Sequence, residues 1–293
     1  MTAPGGVPVH QRVRLQGLEC HALILPCGDR VLVAEHGGQV LSWEAQGSER
    51  LYLSPEAVLD GRAAIRGGIP VCWPQFSERG ALPRHGWVRQ TGWRFVVADL
   101  ASPAPRLVLE LRPAAGLPAN AVPWAHDCRL EMTAALAPGR LEVTLTVSNL
   151  GQQALPFTGA LHTYLALADA EAATVSGWPE ASSRQGWDSM TDTPCRVEPC
   201  LSLRGEIDRI LPSAPGALTV TDGKQGLRIE QSGWADTVVW NPGADKCAAM
   251  SDMPRGGERH MACVEAAQVL SPAMVPAGGV WAGTQRLRIV HPS

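Results

Sequence analysis

The segment from Ile65 to Phe95 carries the densest set of chemically useful side chains in this sequence. Before Trp93 it contains four arginines, Arg66, Arg79, Arg84 and Arg89, together with one histidine, and it is interrupted by three prolines and five glycines. So many Gly and Pro residues disfavour a regular helix or strand. Loops rich in arginine and aromatic residues often line ligand sites. A long surface crossover with a solvated arginine face is the alternative that the same composition allows.

Three further groups stand out along the chain. His162 is a lone histidine in an apolar segment that predicts a strand, Glu265 is a carboxylate inside another apolar strand, and Glu206 and Asp208 are acids after a loop. A buried carboxylate needs partners or a raised pKa. Glu265 is therefore a candidate catalytic group, unless it faces outward. His162 alone fits a hydrogen-bonded core or edge histidine as well as a functional one.

Motif searching excludes several classes of chemistry. The sequence contains no Walker loop, GxGxxG, HExxH or GxSxG pattern. No two histidines are spaced at i, i+2 or i, i+4, and no two of the eight cysteines form a CxxC pair. We therefore expect no metal site and no cofactor, and we interpret the cysteines as reduced thiols. A Cys195–Cys200 disulfide is the alternative that their spacing leaves open.

Composition narrows the possible partners and location. The 293 residues are 45% hydrophobic and 18% charged, which is typical of a globular protein and not of a disordered one. The net charge of −3 disfavours nucleic acid as a partner. No apolar run approaches about 18 residues, and the N-terminal stretch lacks the apolar core of a secretion signal. We expect a cytoplasmic protein with no membrane contact, and a monomer.

Alternating apolar and polar residues predict strands. The segments Cys128–Leu136 and Leu141–Ser148 alternate with a period of two, and Ala137–Arg140 between them reads as the turn of an antiparallel hairpin. Other predicted strands are Val31–Glu35, Val40–Glu44, Arg106–Leu111, Leu161–Ala168, Ala217–Thr221, Leu227–Gln231, Thr237–Trp240, Met261–Ala266 and Trp281–Val290. Helical periodicity is nearly absent, although Pro55–Leu59 allows one turn. Ten or more strands with few helices predict an all-β protein, one large sandwich domain over residues 1–293.

Five motifs in order resemble the hexose-6-phosphate mutarotases, also called glucose-6-phosphate 1-epimerases, of the aldose 1-epimerase superfamily. They are RGGIPVCWPQF followed by LPRHGWVR, then HTYLAL, GEIDRIL, VVWNPGADK and CVEAA. The similarity runs from about Val31 to Val290, nearly the whole chain. It implies the galactose-mutarotase-like β-supersandwich of antiparallel sheets, which agrees with the strand pattern.

The resemblance also implies roles for individual residues. It makes His162 the general acid and Glu265 the general base of sugar-ring opening. It makes Arg66 and Arg89 the residues that hold the phosphate of the substrate. The last two roles that it implies are those of sugar-hydroxyl binders, His85 and Asp208.

The expected function is interconversion of the α and β anomers of a hexose 6-phosphate, with glucose 6-phosphate as the first substrate to consider. The partner is then a small sugar phosphate, and no redox cofactor is needed. Two alternatives stay open: a mutarotase for unphosphorylated aldoses, and a non-catalytic carbohydrate-binding protein on the same fold. The sequence departs from the family pattern at Trp73, Trp87 and Trp187, where Phe or Tyr is usual, and this concerns pocket shape.

Overall fold

The computed structural model describes residues 6–113, 124–180 and 184–290. Across these ranges strands dominate, and the α-helical content is one short helix, α1 (Gly243–Ala249). The expectation of an all-β protein is confirmed. Within the same ranges, no helix has the length and apolar character needed to cross a membrane.

The strands of the first half of the chain are β1 (Val9–Leu15), β2 (Leu18–Ile24), β3 (Arg30–Ala34), β4 (Gln39–Ala45), β5 (Ser48–Glu49), β6 (Val71–Cys72), β7 (Arg94–Asp99), β8 (Arg106–Leu111), β9 (Cys128–Ala137), β10 (Arg140–Asn149) and β11 (Leu155–Leu161). Those of the second half are β12 (Tyr164–Ala166), β13 (Thr174–Ser176), β14 (Gly186–Asp188), β15 (Thr193–Cys195), β16 (Cys200–Ser202), β17 (Ile207–Pro212), β18 (Leu218–Thr221), β19 (Gly226–Ser232), β20 (Asp236–Asn241), β21 (Met261–Val275) and β22 (Val280–Val290).

These strands form three sheets, and the ladders between neighbouring strands are antiparallel. The largest sheet has nine strands in the order β16-β13-β18-β19-β22-β10-β9-β8-β7. The second has the order β15-β14-β17-β20-β21-β11-β6, with β12 also paired to β21, and it carries the candidate site. The third has the order β1-β2-β3-β4-β5.

The predicted hairpin is confirmed as β9 and β10, with Leu136 opposite Leu141 across the turn. In both strands, buried and partly exposed residues alternate. The buried sides of these strands belong to the main hydrophobic core, and fully burying one Leu or Val contributes about 1.5–3 kcal/mol. The period-two pattern therefore indicates that one face of each strand packs into the core.

Strand β21 is buried on both faces, which is why its sequence shows no alternation. One face places Val264 and Ala266 in the main core. The opposite face carries Glu265 and Ala267, and Ala267 packs in a second, smaller cluster. The strand extends to Val275, well beyond the end expected from the sequence. This second, inner face is the floor of the candidate site.

The single turn that the sequence allowed at Pro55–Leu59 is present as a hydrogen-bonded turn and not as a helix, because the Ala57 N–H donates to Ser54 O. Helix α1 was not predicted, because seven residues are too few to show helical periodicity. It begins after Asn241, whose Oδ1 atom accepts a hydrogen bond from the Gly243 N–H at 2.9 Å.

Candidate active site

Strand register brings His162 and Glu265 together. Strands β11 and β12 pair with β21 in one continuous register on either side of a two-residue break, so His162 lies opposite Glu265. Residues opposite each other in an antiparallel pair project to the same face. The Nε2 atom of His162 lies 3.5 Å from Oε1 of Glu265. Two residues 103 positions apart in sequence thus meet through ordinary sheet geometry.

The break at His162 corrects the prediction of one strand over Leu161–Ala168. The Thr163 N–H turns back to Leu161 O, and the His162 N–H donates to Pro70 O, both at 2.9 Å. A tight local bond of this kind interrupts the regular ladder, and the strand resumes only as β12. The interruption sets His162 just after the end of β11, beside Pro70, which directly precedes β6.

A buried glutamine connects the residues of this break with the facing strand β21. The Thr163 hydroxyl donates to Gln285 Oε1 at 2.5 Å, and Gln285 Nε2 donates to Val264 O at 2.9 Å. Thr163 adjoins His162, and Val264 adjoins Glu265. Gln285 was not predicted as a site residue; the signal in the sequence is a polar amide on the otherwise apolar inward face of β22. Gln285 therefore links the Thr163 side chain to the Val264 backbone, next to the candidate pair.

The His162–Glu265 pair is buried and incompletely hydrogen-bonded. His162 is 8% exposed and Glu265 is 1% exposed. Nδ1 of His162 and Oε2 of Glu265 have no hydrogen-bond partner in the described structure. These observations reject an outward-facing Glu265 and a fully hydrogen-bonded core histidine. Unpaired polar atoms at a buried position are costly, and a bound ligand would offset that cost.

Burial also shifts both titrations toward the neutral forms. Desolvation, followed by electrostatic interactions with His85 and Arg89, lowers the pKa of His162. Desolvation, followed by the carboxylate of Asp208, raises the pKa of Glu265, while Arg89 opposes that rise. Groups with shifted pKa values that face one cavity are typical of acid–base sites.

Aromatic rings hold His162 in place. Tyr164 stacks on its ring with a centroid separation of 4.8 Å and an interplanar angle of 12°. Trp240 and His85 meet it edge-on at 6.0 and 5.6 Å. Tyr164 and Trp240 were not singled out from the sequence as site residues. Both residues lie opposite Cys263, Tyr164 on β12 and Trp240 on β20. These three residues are therefore neighbours of His162 and Glu265 on the sheet.

His85 is a neutral hydrogen-bond donor. Its Nδ1 atom accepts the Ser77 N–H at 3.3 Å, which assigns the ring proton to Nε2. Burial, reinforced by nearby arginines, lowers its pKa to about 3. Gly86 follows with a φ of 68°, and a Cβ there would collide with Trp73 O. The glycine lets this loop lie close to β6, which brings His85 over the sheet.

The arginines of the 65–95 segment gather around one cavity. Arg66 donates from Nε to Asp252 Oδ2 at 3.1 Å and from Nη1 to Tyr164 Oη at 3.0 Å, which leaves Nη2 available. Arg89 bonds Arg84 O through Nη2 at 3.1 Å, and its buried Nε has no partner. The composition alone also fitted a solvated surface crossover. The structure favours a ligand site.

The cavity has a volume of about 670 Å³. All six residues predicted from the sequence line it, which are Arg66, His85, Arg89, His162, Asp208 and Glu265. Asp208 lies in β17, opposite Trp240 of β20, and burial raises the pKa of its carboxyl. Arg79 and Arg84 also line the cavity, and the Arg79 guanidinium lies 5.7 Å from the Trp187 ring centre.

The tryptophans that depart from the family pattern lie at different depths. Trp73 and Trp87 are buried in the main core with ring centres 6.4 Å apart, and neither belongs to the cavity lining. Trp187 packs against the small cluster on the sheet's inner face. Trp187 does not line the cavity either, but it contacts two lining residues, Arg79 and Asp192, and so is the one of the three placed to alter the cavity's shape.

One group of side chains has metal-ligand chemistry. Donor atoms of His162, Cys263 and Glu265 lie within 4.8 Å of one another, and all three residues are buried. Sequence spacing gave no indication of this group, because its histidine and its other two residues come from separate strands. All eight cysteines lie in the described ranges and are free, so Cys195 and Cys200 form no disulfide.

Comparison with known proteins gives consistent matches. The profile of the aldose 1-epimerase family matches residues 22–288. A relative from Cenchrus ciliaris is 32% identical over 271 residues, covering 88% of this chain and 80% of its own length. One from Escherichia coli K12 is 28% identical over 241 residues, covering 80% and 78%. Both relatives carry the provisional name glucose-6-phosphate 1-epimerase.

Solved structures show the same fold. A provisionally assigned mutarotase of Salmonella typhimurium superposes with a TM-score of 0.86 at 23% identity, covering 97% of this chain and 94% of that chain. A galactose mutarotase-like protein of Clostridium acetobutylicum gives 0.74 at 14% identity, covering 98% and 99%. The expected galactose-mutarotase-like architecture is confirmed.

Proposed function

Because this chain belongs to the aldose 1-epimerase family, we propose that it interconverts the α and β anomers of hexose 6-phosphates, glucose 6-phosphate among them. The observation that carries the proposal is the shared cavity, in which the buried His162–Glu265 pair lies alongside Arg66 and Arg89. A pure binding site has no need of a buried acid–base pair.

The chemistry needs two proton transfers and no redox step. Opening the pyranose ring takes a proton from the C1 hydroxyl and delivers one to the ring oxygen. Closing the ring on the other face of C1 reverses both transfers. One acid and one base suffice, and each contributes roughly 10²–10⁴-fold. His162 and Glu265 supply such a pair when together they hold a single proton.

Two arginines of the cavity have donors available to bind the phosphate of the substrate. Arg89 has an unpaired Nε, and Arg66 has a free Nη2, so both can donate to a phosphoryl oxygen. Charge-assisted bonds to phosphate fix the orientation of a sugar whose reacting carbon is remote from it. The binding energy then serves to present C1 to the acid–base pair.

His85 and Asp208 complement the sugar hydroxyls. His85 is neutral and donates from Nε2, whereas Asp208 offers carboxylate oxygens as acceptors on the far side of Trp240's strand. A donor and an acceptor at fixed positions discriminate between hydroxyl orientations. These two residues are therefore our candidates for selecting the hexose.

A mutarotase for unphosphorylated aldoses is the second candidate, and one observation favours it. Arg66 already has two partners, Asp252 and Tyr164, and so does not depend on a phosphate for its charge to be balanced. Arg89 has no carboxylate partner among the ion pairs of the described residues, and this supports the phosphorylated substrate instead.

Exchange NMR of anomers tests the proposal with glucose 6-phosphate, galactose 6-phosphate and free glucose side by side, each corrected for the uncatalysed rate. We expect fastest exchange with a 6-phosphate. Faster exchange of free glucose would favour the second candidate. Glu265→Gln and His162→Ala should each reduce turnover by roughly 10²-fold or more while circular dichroism stays unchanged.

The same series tests the non-catalytic alternative. A wild type that binds a sugar tightly without turnover, with equal binding by Glu265→Gln, would identify a carbohydrate-binding protein and overturn the proposal. We also propose a reducing compartment such as the cytoplasm, which the free thiols support.

A further inference from the structure

We propose that the floor of the cavity binds a borderline-soft divalent cation such as Zn²⁺ through His162, Cys263 and Glu265, and that the bound ion blocks the acid–base pair. The binding stands on geometry alone, whereas the inhibition rests on the proposed function.

Sheet register creates the ligand group. His162 lies opposite Glu265, and Cys263 precedes Glu265 by two positions in β21. Residues two apart in a strand project to the same face. An imidazole, a thiol and a carboxylate therefore converge on one point of the inner face, with their donor atoms within 4.8 Å of one another.

The distances fit zinc after a small closure. Zinc bonds of about 2.0–2.3 Å place tetrahedral ligand atoms roughly 3.3–3.8 Å apart. The His162–Glu265 separation of 3.5 Å already falls in that range. The remaining separations reach at most 4.8 Å, so side-chain movement of about 1 Å completes the set.

An unpaired atom also points to a ligand at this position. Oε2 of Glu265 has no hydrogen-bond partner although the residue is 1% exposed. Three protein ligands leave the fourth position of a tetrahedral ion facing the cavity, where water completes the shell. Binding releases the thiol proton, and any proton on the carboxyl, to solvent.

The donor set selects among cations. A nitrogen, sulfur and oxygen set suits Zn²⁺ and Co²⁺, whereas Mg²⁺ prefers oxygen ligands and more of them. An ion held there occupies both groups that must exchange protons with the sugar. The metal is thus an inhibitor and not a required cofactor, and chelation should preserve or raise activity.

Cobalt titration of the reduced, chelator-treated full chain tests the binding without reference to activity. The exposed Cys27 and Cys200 and the partly exposed Cys195 are first replaced by Ser, so that surface thiols contribute nothing. We expect one equivalent of Co²⁺ to produce a thiolate-to-cobalt charge-transfer band, which Zn²⁺ displaces. Cys263→Ala should abolish the band. The control Cys247→Ala, also buried but outside the ligand group, should keep it.

Activity provides the second arm. Zn²⁺ should inhibit anomer exchange and EDTA should restore it, and Cys263→Ala should weaken the inhibition by at least about 10- to 100-fold, the loss seen when even outer-shell partners are removed. Cys263→Ser preserves the volume if the Ala variant unfolds.

The possible results separate the two proposals. Absence of the band in the wild type, or its persistence in Cys263→Ala, would overturn the metal site. A clear Cys263-dependent band in a protein without anomerase activity would refute only the proposed function. Loss of activity on chelation, restored by Zn²⁺, would overturn the inhibitory role.

Discussion

Glu265 lies 3.5 Å from His162, and burial moves the pKa of the carboxyl up and that of the imidazole down. Both shifts favour neutral groups, with the shared proton on the carboxyl. The sequence-based assignment made His162 the acid and Glu265 the base. The structure favours the reverse starting state for the free protein. Both states hold one proton, and ring closure uses the pair in swapped roles, so they belong to one cycle.

We therefore expect a bell-shaped pH profile of kcat/KM. The acidic limb reports a second proton on His162, and the alkaline limb reports loss of the proton from Glu265. Asp208→Asn removes a charge that raises the pKa of Glu265, so the alkaline limb should move to lower pH. Stopped-flow polarimetry across pH, with the uncatalysed rate subtracted, measures both limbs.

Removal of a positive charge near the same pair provides the control. Arg89→Met removes a cation that lowers the pKa values of both His162 and Glu265, so both limbs should move to higher pH. Limbs that stay fixed in Asp208→Asn and in Arg89→Met would show that other groups control the profile.

A second prediction concerns the phosphate. Hydrogen bonds to charged groups contribute roughly 1.5–3 kcal/mol each, so Arg66→Ala or Arg89→Ala should lower kcat/KM for glucose 6-phosphate by about 10- to 150-fold. Residual activity on free glucose, compared at the pH optimum of each variant, should barely change. Equal losses on the two substrates would assign the arginines to the fold or the catalytic centre instead.

Asp252→Asn tests whether Arg66 acts through its ion pair with Asp252 or through its own positive charge. This variant removes the carboxylate partner of Arg66 but keeps the positive charge of the guanidinium. We expect activity on glucose 6-phosphate to be retained or raised, because no carboxylate then offsets the positive charge that Arg66 offers to the phosphate. A loss as large as that of Arg66→Ala would show that the ion pair itself, and not the free charge, is what the site requires.

The sequence predicted the fold, and the six residues that it proposed for the site all line one cavity, for identifiable reasons. In strands with one solvent-exposed face, such as β9 and β10, apolar and polar residues alternate because only one face is buried. The site residues came from a resemblance spread over five motifs. Their convergence in one cavity is a property of sheet register, which no single motif contains.

The parts that sequence could not supply depend on long-range packing. Gln285 acts through bonds to Thr163 and Val264, which are 122 and 21 residues away. Asp252 pairs with Arg66 across 186 residues. The pKa directions at His162 and Glu265 follow from desolvation, which composition does not reveal.

A third prediction concerns Gln285 as a positioning residue. Gln285→Leu removes the bonds that link the segments beside His162 and Glu265, and small misplacements of reacting groups cost up to about 10²-fold. We expect kcat to fall by about 10- to 100-fold with little change in KM. Gln231, directly opposite on β19, bonds Ser213, Asp236 and Thr237 instead.

The Gln231→Leu variant is therefore the matched control. It should lose comparable thermal stability without the fall in kcat. Equal kinetic losses in the two variants would reduce the role of Gln285 to stability alone. An unchanged kcat in a folded Gln285→Leu protein would remove it from the site.

The fourth prediction concerns the stability cost of Glu265. Burial raises its pKa in the folded protein above the unfolded value of about 4.3. Between these two pKa values the folded state binds more protons than the unfolded state. Stability should therefore decline as pH rises, by up to about 1.4 kcal/mol for each pH unit. Glu265→Gln has no such titration.

The melting temperature of Glu265→Gln relative to wild type should thus increase as pH rises from about 4.5. Each kcal/mol corresponds to roughly 2–4 °C in domains of 150–250 residues. Differential scanning calorimetry from pH 4.5 to pH 8 measures the trend, and Glu56→Gln, an exposed glutamate, is the control. If the melting temperature of Glu265→Gln relative to wild type stays constant or falls as pH rises, Glu265 ionises freely in the folded protein. In that case the carboxylate would be the resting base, and the sequence-based order of acid and base would stand.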